Sequence, residues 1–207
     1  MTCRFLRLLL LALACAGAVP PASATSVVPP SFPELVAEAE AIYSGRVTAV
    51  EARRLAAPDG SSVIKTFVTF AIERVLKGAA RESVILELLG GRVGDEQLRV
   101  SGMPVFAVGD REFVFVQRNG VQYCPLVALG HGRYRVLRDQ TSGRDYVARD
   151  NRRPLAAVGD VELPLHGLPA GAAPARAAAP AAALGPEAFA AEIATEVARV
   201  SAVRERL

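Results

Sequence analysis

Val63-Ile64-Lys65-Thr66-Phe67-Val68-Thr69-Phe70-Ala71-Ile72-Glu73-Arg74-Val75-Leu76 is the stretch on which the fold turns. Ile64, Val68, Phe70 and Ile72 share one face and Lys65, Thr69 and Glu73 the other, the period-two pattern of a half-buried strand. Lys77-Gly78 closes it. Upstream, Pro58-Asp59-Gly60 reads as a turn. Before that turn, Ala41–Arg53 reads as a long strand, with Tyr43, Gly45 and Val47 on one face and Ser44, Arg46 and Thr48 on the other. A short helix over Pro33–Glu40 precedes it, with Ser31 as cap. Downstream, Ser83–Leu89, Gln97–Val100, Glu112–Gln117, Val121–Leu126, Gly132–Arg138 and Asp145–Arg149 are apolar or alternating runs between breaks. Asn119-Gly120 predicts a two-residue hairpin turn. Phe113–Val116 is apolar on both faces, which places it centrally. Eight short strands after one helix predict a mainly β domain, an antiparallel barrel or sandwich, and the need to hide sheet edges favours closure into a barrel.

The N-terminus carries a different signal. Arg4 and Arg7 lead into the apolar run Leu8–Ala18, and Ala22-Ser23-Ala24 precedes Thr25. A basic n-region, a short apolar core and a small-x-small site predict a secretory signal peptide over Met1–Ala24, cleaved to leave Thr25 first. The run is too short to span a bilayer, so no membrane span is expected and the protein is exported, periplasmic or secreted. Ala12-Leu13-Ala14-Cys15 has its large residue in the wrong place for lipidation at Cys15. Cleavage removes Cys3 and Cys15 and leaves Cys124 alone, so no internal disulfide can form. Without Arg4 and Arg7 the net charge of +3 falls to +1. Only Lys65 and Lys77 are lysines, and no clustered basic face argues for nucleic acid.

Thr25–Pro33 is a Pro-rich lead-in, and Glu34–Pro164, about 130 residues, is large enough to bury its own core. Leu165–Pro186 is nearly all Ala, Pro and Gly and reads as a disordered linker. Glu187–Leu207 regains helical periodicity, with Phe189, Ile193, Val197, Val200, Val203 and Leu207 forming an apolar stripe. That stripe predicts docking on the barrel or, alternatively, a face offered to a partner.

Several strings carry a resemblance. They are Glu34–Val47, Val68-Thr69-Phe70, Val75-Leu76-Lys77-Gly78, Gly90-Gly91-Arg92-Val93-Gly94, Gly102-Met103-Pro104 and Cys124-Pro125-Leu126-Val127. Over roughly Phe32 to Arg149 the chain resembles a family of uncharacterised bacterial exported proteins, which implies secretion and a β-barrel domain and carries no activity. The strand order ending in Lys-Gly is also distantly similar to the netrin-type module, the OB-like barrel of tissue inhibitors of metalloproteinases. The likeness implies an OB-like barrel. The zinc-chelating N-terminal cysteine and the paired cysteines of that module have no counterpart here.

Candidate chemistry is sparse. Cys124 and His131 are the only thiol and imidazole of the globular part and could form a nucleophile or supply two metal ligands. A lone cysteine in an apolar run is ordinarily a small buried hydrophobe, and His131 between Gly130 and Gly132 reads as an exposed turn. Gly90–Asp95 lacks the Lys-Ser/Thr of a phosphate loop and reads as a hairpin loop. Met103, Val105 and Phe106 could line a groove but read rather as a plug at one barrel end. Asp59, Glu73, Glu87, Asp95, Glu96, Asp110 and Glu112 read as solvated strand faces, with no acid–base pair among them. The sequence therefore predicts no catalytic residue, no metal and no cofactor. It predicts a non-enzymatic exported module that binds another extracytoplasmic protein. The alternatives are a netrin-like protease inhibitor or regulator and an unfamiliar thiol-dependent enzyme using Cys124 and His131.

Overall fold

The structure is a computed structural model that describes residues 28–56, 60–165 and 178–204. The expected signal peptide with its cleavage site at Ala22, Ala24 and Thr25, Cys3, Cys15, Pro58-Asp59, most of the predicted linker, and Leu207 lie outside the described residues.

The fold is mainly antiparallel β, with a short helix before the sheet and a longer one after it. Helix α1 (Phe32–Glu38) starts at a complete capping box. Ser31 Oγ accepts from the Glu34 N–H at 3.4 Å, while the Glu34 carboxylate accepts from the Ser31 N–H at 2.8 Å. These contacts satisfy amide donors that the first turn leaves open. Strands β1 (Ala41–Ala56), β2 (Ser62–Lys77), β3 (Ser83–Leu89), β6 (Arg111–Val116), β7 (Arg133–Arg138) and β8 (Asp145–Arg149) form one sheet in the order β3-β2-β1-β6-β7-β8. Strands β4 (Gly91–Val93) and β5 (Glu96–Leu98) form a separate two-stranded ribbon. Helix α2 (Pro186–Arg204) ends the described chain.

The sheet is buried on both sides because β6 is apolar on both sides. Phe113 and Phe115 join Ile42, Tyr134 and Val147 under the two helices. Val114 and Val116 join Tyr43, Val47, Val68, Phe70, Leu86 and Leu88 on the opposite face. The alternation read in β2 is the one observed, with Ile64, Val68 and Phe70 all buried. Residues 121–126 are not a strand. Pro125 interrupts the run, Leu126 makes only a single bridge to Val116, and Asn119 turns its amide to the β3 backbone instead of shaping a hairpin. Its Oδ1 accepts from the Glu87 N–H at 3.0 Å and its Nδ2 donates to the Ile85 carbonyl at 2.7 Å.

Among the described residues no pairing joins β3 to β8, and the edges are hidden by another route. On β3, the Asn119 amide and the Tyr123 carbonyl, which accepts from the Leu89 N–H, occupy the outer backbone groups. On β8, the Leu155 N–H donates to the Val147 carbonyl and the Val147 N–H donates to the Leu184 carbonyl. Irregular chain thus covers both outer strands, which removes the open edge that invites aggregation.

The described end of the predicted linker, 178–186, is ordered against β8. Ala183 is buried with Tyr146 and Ala148, and Arg144 Nη2 donates to the carbonyls of Pro180, Ala181 and Ala183. Composition alone misses this, because small side chains leave the backbone carbonyls accessible to one arginine. From there α2 lays Phe189, Ala190 and Ile193 into the core, with Val197 and Val200 packed beside them. The Phe189 ring lies 4.9 Å from Tyr134, 5.1 Å from Phe113 and 6.2 Å from Phe32 between centroids. Phe189→Ala should lower unfolding stability by about 3–5 kcal/mol, the cost of a large core cavity. Urea denaturation checks this, and a loss below about 1 kcal/mol would mean that the helix contributes little to the core.

Candidate functional site

The centre of the site is an arginine with no solvent exposure. Arg133, at the start of β7, and Glu112, on β6, are each 0 % exposed. Arg133 Nε donates to Glu112 Oε2 at 2.8 Å and Nη2 donates to Oε1 at 2.5 Å, a bidentate pair. Its Nη1 donates to Asp150 Oδ1 at 2.9 Å and to the Val105 carbonyl at 2.7 Å. The guanidinium lies 4.1 Å from the centre of the Phe106 ring. Burial lifts the Glu112 carboxyl above the usual carboxylate range, against the pull of Arg133. Burial also works against the guanidinium, but Glu112 and Asp150 outweigh it and hold Arg133 charged. Glu112 is therefore not the solvated strand carboxylate its sequence neighbourhood predicts.

This pair positions a loop. The Val105 carbonyl accepts from Arg133 and also from Arg135 Nη2 at 3.2 Å, and Phe106 stacks on the Arg133 guanidinium. The segment Met103–Phe106 is thereby held over the sheet, facing the β4–β5 ribbon. Between them runs a groove of about 640 Å³, within the range of ligand sites. Its apolar wall comes from Val50, Val68, Leu88, Leu98, Val100 and Met103, and its charged lining residues are Arg92 and Arg99. Met103 and Phe106 also pack into the core cluster, while Val105 stands 77 % exposed at the groove. Part of the segment thus packs into the core and part lines the groove.

The ribbon reaches this position because Gly90-Gly91 lets the chain reverse. Gly91 has φ +133°, and a Cβ there would collide with Thr66 Oγ1, which donates to the Gly90 carbonyl at 2.7 Å. The loop predicted over Gly90–Asp95 is therefore two short strands around Gly94-Asp95, with β5 reaching only Leu98.

Cys124 and His131 sit in different surroundings. Cys124 packs with Tyr43, Phe70 and Leu126 on the face opposite the helices, and burial pushes its thiol up to about 11. A thiol so placed is protonated at neutral pH and is a poor nucleophile. His131 is buried at 6 % exposure, not in an exposed turn. It lies in the tight 3-10 turn Leu129–Gly132, where a Cβ on Gly132 would meet the Val127 carbonyl oxygen at 2.7 Å. Turn composition predicts exposure, but here the small glycines let the backbone sink against Val127 and Phe115. Among the described residues no group of three or more His, Cys, Asp or Glu side chains is placed to hold a metal. Phe189, Ile193, Val197 and Val200 lie away from the groove, against the helix-side core.

No family model, curated protein or solved structure matches this chain.

Arg133→Ala leaves Glu112 buried without its bidentate partner and should lower stability by about 3–5 kcal/mol. The double variant Arg133→Met/Glu112→Leu should recover much of that loss, and urea midpoints compare the two. A double variant no more stable than the single one would show that packing around Arg133, not its charge pair, holds the loop.

The thiol of Cys124 sets a pH dependence. Its folded value lies above its unfolded one, so the unfolded chain loses the proton first and stability falls as pH rises from about 9 to about 11. Tyr134 is also pushed upward by burial and adds to the decline. Denaturation at pH 8 and pH 10.5 should show a steeper loss for the wild type than for Cys124→Ala. Equal losses would place the titration elsewhere.

Proposed function

We propose that the protein is an exported, non-enzymatic binding module whose groove between the β4–β5 ribbon and Met103–Phe106 takes an extended segment of another extracytoplasmic protein. The observation that carries the reading is the groove itself: roomy, apolar along its length, and bordered by a short strand with a neighbour on one side only. Among the described residues β5 pairs with β4 and with no other strand. A peptide strand added beside a free edge gains backbone hydrogen bonds, while alternate side chains fill the apolar wall. Arg92 and Arg99 favour an acidic residue flanking the apolar positions. Binding rather than thiol chemistry is further supported by the protonated state of Cys124.

The same reading keeps the OB-like barrel and the netrin-type likeness as proposals. Their support is the length of β1 and β2, 16 residues each, and the register shifts between Ser44/Gly45 and Val47/Ala49. Bulges of that kind bend a strand toward closure. Export rests on the charged, apolar and small-residue pattern of Met1–Ala24.

Selection of eight-residue extended peptides on the purified protein tests the function. Sequences alternating apolar and polar residues beside an Asp or Glu should be enriched. Leu98→Glu and Val105→Glu, both at exposed positions, should weaken the selected peptides about tenfold or more while leaving the thermal midpoint nearly unchanged. No enrichment, or equal affinity in both variants, would remove the groove as the binding site.

A further inference from the structure

A second concavity lies on the β6–β7 side of the sheet, away from the Val50–Leu98 groove wall. It is a cleft of about 300 Å³ whose lining includes Arg46, Arg111, Arg135 and Arg138 together with Asp110 and Asp145. Arg46, Arg111 and Arg138 come from three strands and share one face of the sheet, whereas Arg135, opposite Glu112 in the register, points to the other face. Three arginines beside one cleft is a costly arrangement unless something negative offsets it. The two aspartates do so only in part. Asp145 accepts from Arg111 Nη1 at 3.0 Å and from Arg138 Nη1 at 3.3 Å, and so bridges these two side chains. Asp110 accepts from Arg135 Nη1 at 3.2 Å and also lies 3.7 Å from Arg133 Nη2. Glu73 approaches Arg111 only at 4.0 Å, from the neighbouring cleft. Glu112 and Asp150 are engaged behind the wall by Arg133.

One donor on this wall stands out. Arg46 is exposed, and its Nη1 donates to the Gly109 carbonyl at 2.8 Å. That bond fixes the guanidinium at the cleft and leaves its other N–H groups for a ligand. Arg135, on the other face, is bonded through its terminal nitrogens to Asp110 and the Val105 carbonyl. With Arg135 and Asp110 paired to each other, Arg46, Arg111 and Arg138 exceed Asp145 by two positive charges.

We propose that this cleft is a binding site for a compact organic dianion, a phosphate monoester or a dicarboxylate, held by Arg46 and Arg138 at the mouth and by the field of Arg111 behind. Planar guanidinium forks match the oxygens of either group in bidentate fashion. A volume of this size exceeds what a bare inorganic ion fills, so the ligand carries a small organic body over Val136. The site is independent of the apolar groove. Its one link to the groove is the Val105 carbonyl, which Arg135 shares with Arg133.

The test is thermal unfolding of the full-length protein titrated with inorganic phosphate or with succinate, against sodium chloride and sodium acetate at matched ionic strength. A ligand that binds only the folded state raises the midpoint in a saturable way. Phosphate or succinate should do so, and whichever acts at the lower concentration names the preferred group. Arg46→Gln and Arg138→Gln, both exposed and fold-neutral, should each raise the half-saturating concentration about tenfold. Arg81→Gln, exposed and outside the cleft, should titrate as the wild type. If neither dianion exceeds chloride and acetate, or if both mouth variants titrate as the wild type, the site does not exist.

Discussion

The molecule is arranged around one buried charge pair. Burying Arg133 and Glu112 strips both of water, a cost that only close, complete hydrogen bonding offsets. The structure supplies it with two bonds to Glu112, one to Asp150 and one to the Val105 carbonyl. The pair also cross-links β6 to β7 at the register Glu112–Arg135 and Val114–Arg133, and ties β7 to the loop that leads into β6, 28 residues before Arg133. A hydrophobic pair could fill the same volume. It could not fix the direction of a backbone carbonyl, which is what sets the height of the groove wall.

Much of the fold is legible in the sequence, and the reason is local. The Ser31–Glu34 cap, the alternation of β2 and the two-sided apolarity of Phe113–Val116 depend on neighbours within a few residues. The candidate sites depend on pairs that no spacing reveals. Glu112 and Arg133 lie 21 residues apart, and Arg46 meets Gly109 across 63. Each residue alone looks like a solvated strand charge. One hint was available: Glu112 directly precedes Phe113-Val114-Phe115-Val116, so its strand is buried on both faces and a charge entering it needs a partner. The burial of His131 is hidden from the sequence for the opposite reason. Flanking glycines mark turns, but they also let a backbone press into a core where a side chain would not fit.

The sheet edges teach a related lesson. Closure into a barrel is one way to hide unpaired backbone, and sequence reasoning reaches for it first. Here Asn119, the 152–155 turn and Leu184 do the same work from irregular chain. Such segments lack periodicity, so their role emerges only once the strands they cover are in place.

The placement of Phe189 has a consequence for the order in which the molecule can assemble. Its ring meets Phe32, near the first described residue, and Phe113 and Tyr134 from the middle of the sheet. The aromatic cluster is therefore complete only when α1, the sheet and α2 are present together. A chain emerging N-terminus first carries the whole sheet pattern but an open hollow between β6, β7 and α1 until α2 follows. Closing so long a loop is entropically slow, and contacts this distant in sequence form late. Docking of α2 is thus the step that closes the aromatic cluster, and the helix-side core stays unfilled until it occurs.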